Sequence, residues 1–332
     1  MKILNIRIAS KNSIKMFKFY YLFFILGVEA FSFKPISNKY LLKLLSDPLK
    51  ESARNFFIKR AEIKGIPWTN LKNKYENERN FTKIKNIYEN IVDYNLKYPD
   101  YYVQPFHGYD EGNLNWQAAT ENEAATLSMS SYYWKGYSVD DSVKFMRYNF
   151  TDTIKNYVDK DIDNILDLGC SIGISTNFIK DAFGDDKNIY GIDLSPYFIS
   201  IAEFNELTTD SLLKFSHQNA ENLNFKDDNF DLITSCFLFH EVPIIPTRNI
   251  FSEVYRTLNK GGCFAILDLN QNQSEIKLDK NYLKKLLFES TEPHICEYYN
   301  NNIELELKKS GFEDIKKFKN DPYNSVWLAT KK

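Results

Sequence analysis

The chain has 332 residues, of which 43% are hydrophobic and 16% aromatic. That is enough apolar material for one large folded domain or two smaller ones, and it excludes a largely disordered chain. The formal net charge of -2 and the isoelectric point near 6.2 indicate no basic surface for a phosphate backbone, so we expect no nucleic-acid partner.

The first element along the chain is an apolar run preceded by lysines. It spans residues 19–28 (FYYLFFILGV) and is shorter than the roughly 20 residues that a membrane-spanning helix requires. Val28 and Ala30 place small residues where a signal peptidase would cut after Ala30. We therefore favour a signal or targeting leader over residues 1–40, with no stable membrane span in the mature chain. The alternative is an amphipathic first helix that docks on the domain.

The four cysteines bear on the compartment. Cys236 and Cys263 lie in apolar runs typical of buried strands, Cys170 lies in a glycine loop and Cys296 is remote in sequence, so they do not form a disulfide framework. A signal without disulfides favours an organelle of the plastid type, with the secretory pathway or the cytoplasm as alternatives. No His/Cys cluster has metal-ligand spacing, so we expect no metal.

Residues 41–155 are predicted to form an N-terminal helical extension and substrate lid. Asp47 and Pro48 are an N-cap and first-turn pair, and apolar residues recur at helical spacing from there to Gly65. Within residues 69–98, the first half is predicted to be exposed or loose and the second half helical. The helical half carries an apolar stripe of Ile84, Ile87, Tyr88, Ile91 and Tyr94.

Beyond residue 155, short apolar strands alternate with helices, so residues 156–332 are predicted to form the core. The fold class is α/β: a seven-stranded, mostly parallel Rossmann-like sheet with helices on both faces, the last strand antiparallel. The strands are predicted at residues 164–168, 188–193, 213–217, 230–236, 263–269, 312–318 and 325–330.

The end of the first strand runs into a glycine loop, Asp167–Gly173 (DLGCSIG). The loop has neither the GxGxxG of a dinucleotide site nor the GK[ST] of a phosphate loop, which argues against a nicotinamide-dependent reductase. A parallel sheet delivers this loop to its carboxyl edge, where ligands bind. Asp193 ends the second strand, where a carboxylate can accept hydrogen bonds from ribose hydroxyls. The two features together indicate a nucleoside site.

Four segments in order resemble the class I S-adenosylmethionine-dependent methyltransferases, and the match extends from Asp161 to the end of the chain. They are Asp167–Gly173, Gly191–Ser195 (GIDLS), Asn219–Asp231 (NAENLNFKDDNFD) and Leu258–Gly262 (LNKGG). Three further stretches, at residues 47–68, 98–123 (with PFHGYDEGNLNW) and 290–299, resemble a plastid and cyanobacterial subgroup of the type 11 methyltransferase proteins. The resemblance implies S-adenosylmethionine as cofactor.

The resemblance also implies which residues hold each part of that cofactor. Ser171 stands where the family usually has a glycine, and Asn219 where it usually has an aspartate, although an amide oxygen can still accept from the adenine amino group. The cofactor-binding set is Asp167, Gly169, Ser171 and Gly173 for the methionine end, Asp193 with Leu194 for the ribose, and Asn219, Ala220 and Glu221 for the adenine.

A sulfonium methyl group is already activated, so its transfer is an in-line displacement for which the protein mainly positions the reactants. A general base is needed only if the acceptor loses a proton. His240 is the first candidate, with a capping or packing histidine as the alternative. His107, in the aromatic PFHGYDEGN segment, is the second, with a structural turn as the alternative.

The remaining candidates lie on the substrate side: Tyr109, Asp110, Trp116 and His294, each of which also has a purely structural interpretation. High aromatic content before residue 150 favours a small, partly apolar acceptor such as a quinone, a phenol or a carboxylate. The leading hypothesis is a small-molecule methyltransferase. The alternative from another class is a non-catalytic S-adenosylmethionine-binding module or assembly factor. The sequence does not predict the oligomeric state.

Overall fold

A computed structural model describes residues 54–332 apart from residues 56, 135, 208–212 and 272–290. The predicted leader and the start of the first helix, at Asp47 and Pro48, lie outside the described residues. Residues 53–332 group into one compact unit. None of the described helices is both long and apolar enough to cross a membrane.

The N-terminal region is helical, as predicted, but more completely. Helical residues 57–63 end before Gly65, whose φ is +85°. Helices α1 (Trp68–Glu76) and α2 (Glu78–Ile91) follow, so the first half of residues 69–98 is helical and not loose, although most of its residues are exposed, the other alternative that was expected. Trp68 and Tyr75 are buried, and a buried aromatic pair stabilises α1 in spite of its polar composition. Tyr94 lies beyond α2 and is 72% exposed.

Two longer helices complete this region, α3 (Trp116–Tyr133) and α4 (Val139–Tyr157). Asn115 and Ser138 cap them by accepting backbone N–H groups three residues ahead. The buried face of α4 packs against the sheet. A domain boundary at residue 155 would fall in the last turn of α4, and the division into an extension and a core stays a prediction.

The sheet has seven strands in the order β3-β2-β1-β4-β5-β7-β6. β7 runs antiparallel to β5 and β6, and the other pairs are parallel, which confirms the predicted fold class. β5 begins five residues earlier than predicted. The strands are β1 (Asn164–Leu168), β2 (Asn188–Asp193), β3 (Lys214–His217), β4 (Phe230–Cys236), β5 (Leu258–Leu269), β6 (Glu313–Lys319) and β7 (Asn324–Thr330).

Helices cover both faces of the sheet and bury an apolar core on each. One face packs on α4 with α5 (Ile174–Phe183) and α6 (Pro196–Glu206). The other packs on α7 (Ile244–Thr257), α8 (Ile295–Asn300) and α9 (Ile303–Lys309). Since the connections after β1 and β4 run to opposite sides, the carboxyl ends of these central strands form the switch point where open α/β sheets bind ligands.

Candidate functional site

The glycine loop after β1 has the backbone conformation of a ligand cradle. Gly169, Ser171 and Gly173 all have φ between +52° and +83°, and Gly173 is the N-cap of α5. A Cβ atom at Gly169 would lie 3.1 Å from Leu238 Cδ1, so no larger residue fits there without a shift. The loop lies at the carboxyl edge of the sheet, where the start of α5 favours negative charge.

Asp193 lies directly beside this loop. Its Oδ2 accepts the Ser171 N–H at 2.9 Å, and its Oδ1 accepts the Ser195 N–H at 2.8 Å. Burial raises the pKa of Asp193 to about 6, against the opposing effect of the hydrogen bonds from Ser195 and Ser171. The loop and the acid, predicted separately from the sequence, are thus brought together. Each carboxylate oxygen keeps a further lone pair for a hydroxyl group.

Asp167 lies beneath the loop and is completely buried. Its two oxygens accept hydrogen bonds from the hydroxyls of Thr176 on α5, at 2.7 Å, and Thr234 on β4, at 2.8 Å. Burial raises its pKa, against these hydrogen bonds. Asp167 thereby joins β1, β4 and α5 and fixes the loop from below.

Arg147 is a charged residue near the loop that the sequence reasoning missed. It lies on the apolar face of α4 and is only 6% exposed, with Cζ 5.5 Å from the centre of the Phe237 ring. Its Nε and Nη1 atoms are buried without a hydrogen-bond partner. The sequence does contain one indication of its burial, because Arg147 falls on the apolar stripe of α4 formed by Val143, Met146, Phe150 and Ile154. Such a guanidinium can bind a carboxylate in a bidentate manner.

The predicted adenine turn is tied to an aromatic segment that crosses over it. Asn219 Oδ1 accepts the Glu221 N–H at 2.9 Å, and Glu221 Oε1 accepts the Tyr101 hydroxyl at 2.8 Å. The Tyr98 hydroxyl lies 3.3 Å from His217 Nε2, and the Leu194 carbonyl oxygen lies 3.1 Å from the same nitrogen. Residues 98–102 thus cover the ends of β2 and β3. The roles of Leu194, Asn219, Ala220 and Glu221 in binding stay predictions.

His240 follows β4 on a short 3-10 turn, Phe239–Glu241, and contacts Asp268 near the end of β5. His240 Nδ1 lies 2.8 Å from Asp268 Oδ1, and both side chains are buried. Burial lowers the pKa of His240, but Asp268 and the carboxylates of Glu241 and Glu292 raise it to about 9. Asp268 was not predicted, although the sequence pattern that pointed to Asp193, an acidic residue at the carboxyl end of an apolar strand, also occurs at Asp268.

His107 comes to the same place from the N-terminal region. Its Nε2 lies 3.1 Å from Glu292 Oε1 and 3.4 Å from Glu241 Oε1, and Glu241 Oε1 is 3.9 Å from His240 Nε2. Burial lowers the pKa of His107, but Glu292 and Glu241 raise it to about 9. Burial raises the pKa of Glu241 to about 7, against the two histidines. The two candidate histidines are therefore joined through Glu241.

The other predicted substrate residues lie in different parts of the structure. His294 caps α8 with its ring edge-on to Tyr101, 6.1 Å between centroids. Tyr109 donates to Glu121 at 2.7 Å, Trp116 packs edge-on against Tyr197, and Asp110 is exposed. None of these three has a described contact with either candidate histidine, and their roles in substrate binding stay predictions.

Two further tyrosines, Tyr133 and Tyr299, are influenced by carboxylates of the same cluster. Burial raises the pKa of Tyr133 far above its ordinary value, together with Asp321, Tyr299, Asp268 and Glu292. Burial and Asp268 do the same for Tyr299, whose hydroxyl is buried without a partner. Both rings lie against the core on the α7–α9 side.

Strain and unpartnered polar atoms concentrate at this edge. Of the five described non-glycine residues with left-handed φ, three are here, namely His107, Ser171 and Phe237, and such strain is typical of functional sites. Buried polar atoms without a hydrogen-bond partner point to a polar ligand. Those at this edge are Ser171 Oγ, Ser235 Oγ, Arg147 Nε and Nη1, Glu292 Oε2, His294 Nε2 and Tyr299 OH. The residues present fit a cofactor with a ribose and a charged amino-acid group. Within the described parts of the chain, no group of His, Cys, Asp and Glu residues could hold a metal ion.

Comparison with known proteins gives a family for the centre of the chain. Residues 165–262 match the family model described as "Methyltransferase domain". S-adenosylmethionine is the cofactor of such domains, and it carries the ribose and the amino-acid group that the site fits. The matched range contains the glycine loop, Asp193, the turn at residues 219–221 and His240.

Curated relatives share part of this region. The chain is 34% identical over 106 residues to a demethylmenaquinone methyltransferase of Bacillus licheniformis, covering 32% of this chain and 44% of that protein. It is 26% identical over 159 residues to a 2-phytyl-1,4-naphtoquinone methyltransferase of Synechococcus elongatus, covering 46% of this chain and 67% of that protein. A solved phosphoethanolamine N-methyltransferase 2 of Haemonchus contortus with S-adenosylmethionine has a TM-score of 0.45 at 16% identity, covering 59% of this chain and 58% of that chain. The match thus spans less than half of the Bacillus protein.

Proposed function

We propose that this protein is an S-adenosylmethionine-dependent methyltransferase that acts on a small aromatic acceptor with an acidic hydroxyl group, a reduced quinone or a phenol. The observation that carries the proposal is the arrangement at the carboxyl edge. The glycine loop with Asp193 lies at the ends of β1 and β2, and the couple of His240 and Asp268 lies at the ends of β4 and β5. A nucleoside site and a base thus flank the same central strands.

The cofactor, when bound, supplies a methyl group on a positively charged sulfur. The protein's part is to hold and orient the reactants. Asp193 would hold the ribose hydroxyls, Arg147 the methionine carboxylate and residues 219–221 the adenine edge. Residues 98–102 would exclude water from above. Exclusion of water and fixed geometry are the main contributions that such a displacement needs.

His240 would act as the general base. Its Nδ1–H donates to Asp268 at 2.8 Å, so the neutral ring presents the lone pair of Nε2 to an acceptor hydroxyl. His240 Nε2 would take the hydroxyl proton of the acceptor as the acceptor oxygen or an adjacent ring carbon takes the methyl group. The products are the methylated acceptor, S-adenosylhomocysteine and the imidazolium of His240.

Two lines support an aromatic acceptor. Tyr298 on α8 presents its ring edge-on to that of His240, with 6.3 Å between centroids, and aromatic rings pack favourably in offset or edge-on geometry. The curated relatives from Bacillus licheniformis and Synechococcus elongatus are both named as methyltransferases of naphthoquinone-type compounds. We extend that acceptor class to this chain.

The test is formation of S-adenosylhomocysteine by the purified protein from S-adenosylmethionine and a panel of acceptors. The panel holds a reduced 1,4-naphthoquinone, a simple phenol and an aromatic carboxylate, and Asp193→Ala is the matched control. We expect product with the reduced quinone or the phenol and none with the control. Binding of S-adenosylhomocysteine without turnover on any acceptor would instead make the protein a binding module.

We also propose a plastid-type location and membership of the plastid and cyanobacterial subgroup. The apolar run at residues 19–28 and the cyanobacterial relative support this proposal. A fluorescent fusion at the C-terminus of the full chain should localise to the plastid, and the same fusion lacking residues 1–40 should not.

A further inference from the structure

The proton that His240 gains cannot leave through Asp268. Asp268 Oδ2 accepts the N–H groups of Phe239 and His240, and Oδ1 accepts the N–H of Leu269 besides the His240 ring. With four donors on one fully buried carboxylate, its lone pairs are filled. The proton must therefore depart from Nε2, on the opposite side of the ring.

Only one described carboxylate lies within ion-pair distance of His240 Nε2, and it leads on to a second histidine. Glu241 Oε1 is 3.9 Å from His240 Nε2 and 3.4 Å from His107 Nε2. The exposed fraction of the side chains rises along this line, from 7% for His240 to 21% for Glu241 and 37% for His107. The three groups thus run from the buried base to solvent.

The far end of the line is held in place by unusual backbone geometry. His107 has a left-handed φ of +51°, and its N–H donates to the Thr291 carbonyl at 2.9 Å. Its ring nitrogen is also 3.1 Å from Glu292 Oε1. A histidine kept in a strained conformation by two partners is typical of a functional position.

We propose that Glu241 and His107 form a proton relay that carries the proton from His240 to solvent, and that Glu292 positions His107 for this step. The inference rests on the proposed function. With His107 neutral and its single ring proton on Nδ1, the proton moves from His240 Nε2 to Glu241 Oε1, and from there to the free lone pair of His107 Nε2; the Nδ1 proton of His107 then passes to water. His240 and Glu241 return to their starting states, and a tautomeric exchange with water resets His107. Rotation of the Glu241 carboxylate shortens each contact in turn to hydrogen-bond length, about 2.8 Å.

Among the residues that the structure describes, the other charged and titratable groups that face His240 do not offer a second route. Asp268 is saturated, and Tyr298 on α8, whose ring centroid is 6.3 Å away, donates its hydroxyl to the Leu269 carbonyl. Glu292 contacts His107, and its described contacts lead to His240 through that residue. Since the carboxylates around the cluster raise the pKa of His240 to about 9, its proton is released slowly to water without help. A relay removes that delay.

The test measures proton exchange and requires no acceptor. The full chain, labelled with ¹⁵N-histidine and bound to S-adenosylhomocysteine, has four histidines, so its ring N–H signals can be assigned by single substitutions. At pH 9, near the pKa of about 9 of both histidines, the doubly protonated form of His240 and the neutral form of His107 that accepts its proton are both populated. We measure exchange of the His240 Nε2–H with water in the wild-type protein, in Glu241→Gln, in His107→Asn and in the control Glu297→Gln, which changes a carboxylate on α8 that accepts the Ile244 N–H.

The relay predicts exchange at least tenfold slower in Glu241→Gln and His107→Asn than in the wild-type protein and the control, with added imidazole restoring it in His107→Asn. If the cluster were only a latch for the segment around His107, breaking it would expose His240 and make exchange faster. Unchanged or faster exchange would overturn the relay. If His107→Asn does not fold, the nearly isosteric Glu241→Gln decides alone. Formation of S-adenosylhomocysteine in the separate turnover assay is unaffected by this outcome, so the two proposals fail independently.

Discussion

His240 and Asp268 form a buried, hydrogen-bonded couple that joins the ends of β4 and β5, with 2.8 Å between Nδ1 and Oδ1. Asp268 also accepts the backbone N–H of His240 itself, at 3.3 Å. The carboxylate therefore fixes both the ring and the turn that carries it. This geometry leaves Nε2 as the one ring nitrogen able to take a proton from an acceptor.

Replacement of the base should remove turnover and spare cofactor binding. We expect His240→Gln to lower kcat by about 10²- to 10⁴-fold, the range typical of a general base. The affinity for S-adenosylhomocysteine, measured by calorimetry, should stay within about threefold because the proposed mechanism places His240 on the acceptor side. Loss of affinity equal to the loss of rate would assign His240 to cofactor binding or to the fold instead.

The raised pKa of His240 predicts an alkaline limb in the pH–rate profile. Its pKa in the folded protein is about 9, above the ordinary value of about 6.5, so the neutral base accumulates only as the pH rises. The rate should increase about tenfold per pH unit below pH 9 and level off above it.

Asp268→Asn should shift the alkaline limb of the pH–rate profile. Removing the anion leaves burial as the main influence on His240, and burial lowers a histidine pKa. The limb should shift to acid pH, and the plateau should fall because the ring orientation is lost. The matched control is Glu297→Gln, which lies on α8 and bonds the Ile244 N–H. A profile that keeps its limb near pH 9 in Asp268→Asn contradicts the couple.

Asp193 should carry much of the cofactor affinity. Hydrogen bonds to a charged group contribute about 1.5–3 kcal/mol each, so two from ribose hydroxyls predict a loss of at least about 10²-fold in Asp193→Ala. Asp193→Asn, which keeps one acceptor oxygen, should lose less. Titration calorimetry with S-adenosylhomocysteine measures both, and an affinity in Asp193→Ala within threefold of the wild type contradicts the ribose site.

Arg147 can be tested by changing the ligand together with the protein. S-adenosylhomocysteine has an amino-acid carboxylate, whereas 5′-methylthioadenosine lacks it. We expect Arg147→Met to weaken S-adenosylhomocysteine by roughly 10- to 100-fold, the value of one or two charged hydrogen bonds, and to leave 5′-methylthioadenosine unchanged. Equal effects on the two ligands would show that Arg147 supports the fold and does not contact the carboxylate.

The glycine loop gives a matched pair of substitutions. Ser171 has a left-handed φ of +52°, which glycine adopts freely, so Ser171→Gly should leave cofactor affinity nearly unchanged. Gly169 also has positive φ, and a Cβ there meets Leu238 at 3.1 Å. Gly169→Val should therefore abolish binding. Circular dichroism checks that both variants fold, and retained binding in a folded Gly169→Val is the contradicting result.

The sheet could be predicted from the sequence because its strands are buried and short. β1, β2 and β4 begin and end at the predicted residues, and each begins after a polar residue, Asp163, Lys187 or Asn229. β5 begins earlier, at Leu258, because the polar and glycine residues 259–262, of which Lys260 and Gly261 are exposed, continue the strand without an apolar signal in the sequence. The sequence did not predict helix α1 clearly because most of its residues are polar. The burial of Trp68 and Tyr75, which stabilises the helix, is visible only in the structure.

The site was only half predictable. The glycine loop follows β1, and Asp193 is the last residue of β2. A parallel sheet brings the carboxyl ends of such neighbouring strands together. His107 and Glu292 come from segments far from β4, so no spacing in the sequence indicates that they meet Glu241. Arg147 was hidden in an amphipathic helix, where an arginine is ordinarily read as exposed.

The central claim is methyl transfer at the edge shared by Asp193 and His240. Its most direct test uses S-adenosylmethionine with a ¹³C-labelled methyl group and a reduced naphthoquinone lacking the methyl. Mass spectrometry then compares the wild-type protein with His240→Gln under conditions where both bind S-adenosylhomocysteine equally. We predict a labelled methyl group in the product of the wild-type protein and at least a hundredfold less with His240→Gln. Equal labelling by the two proteins, or labelling by neither, would contradict this account.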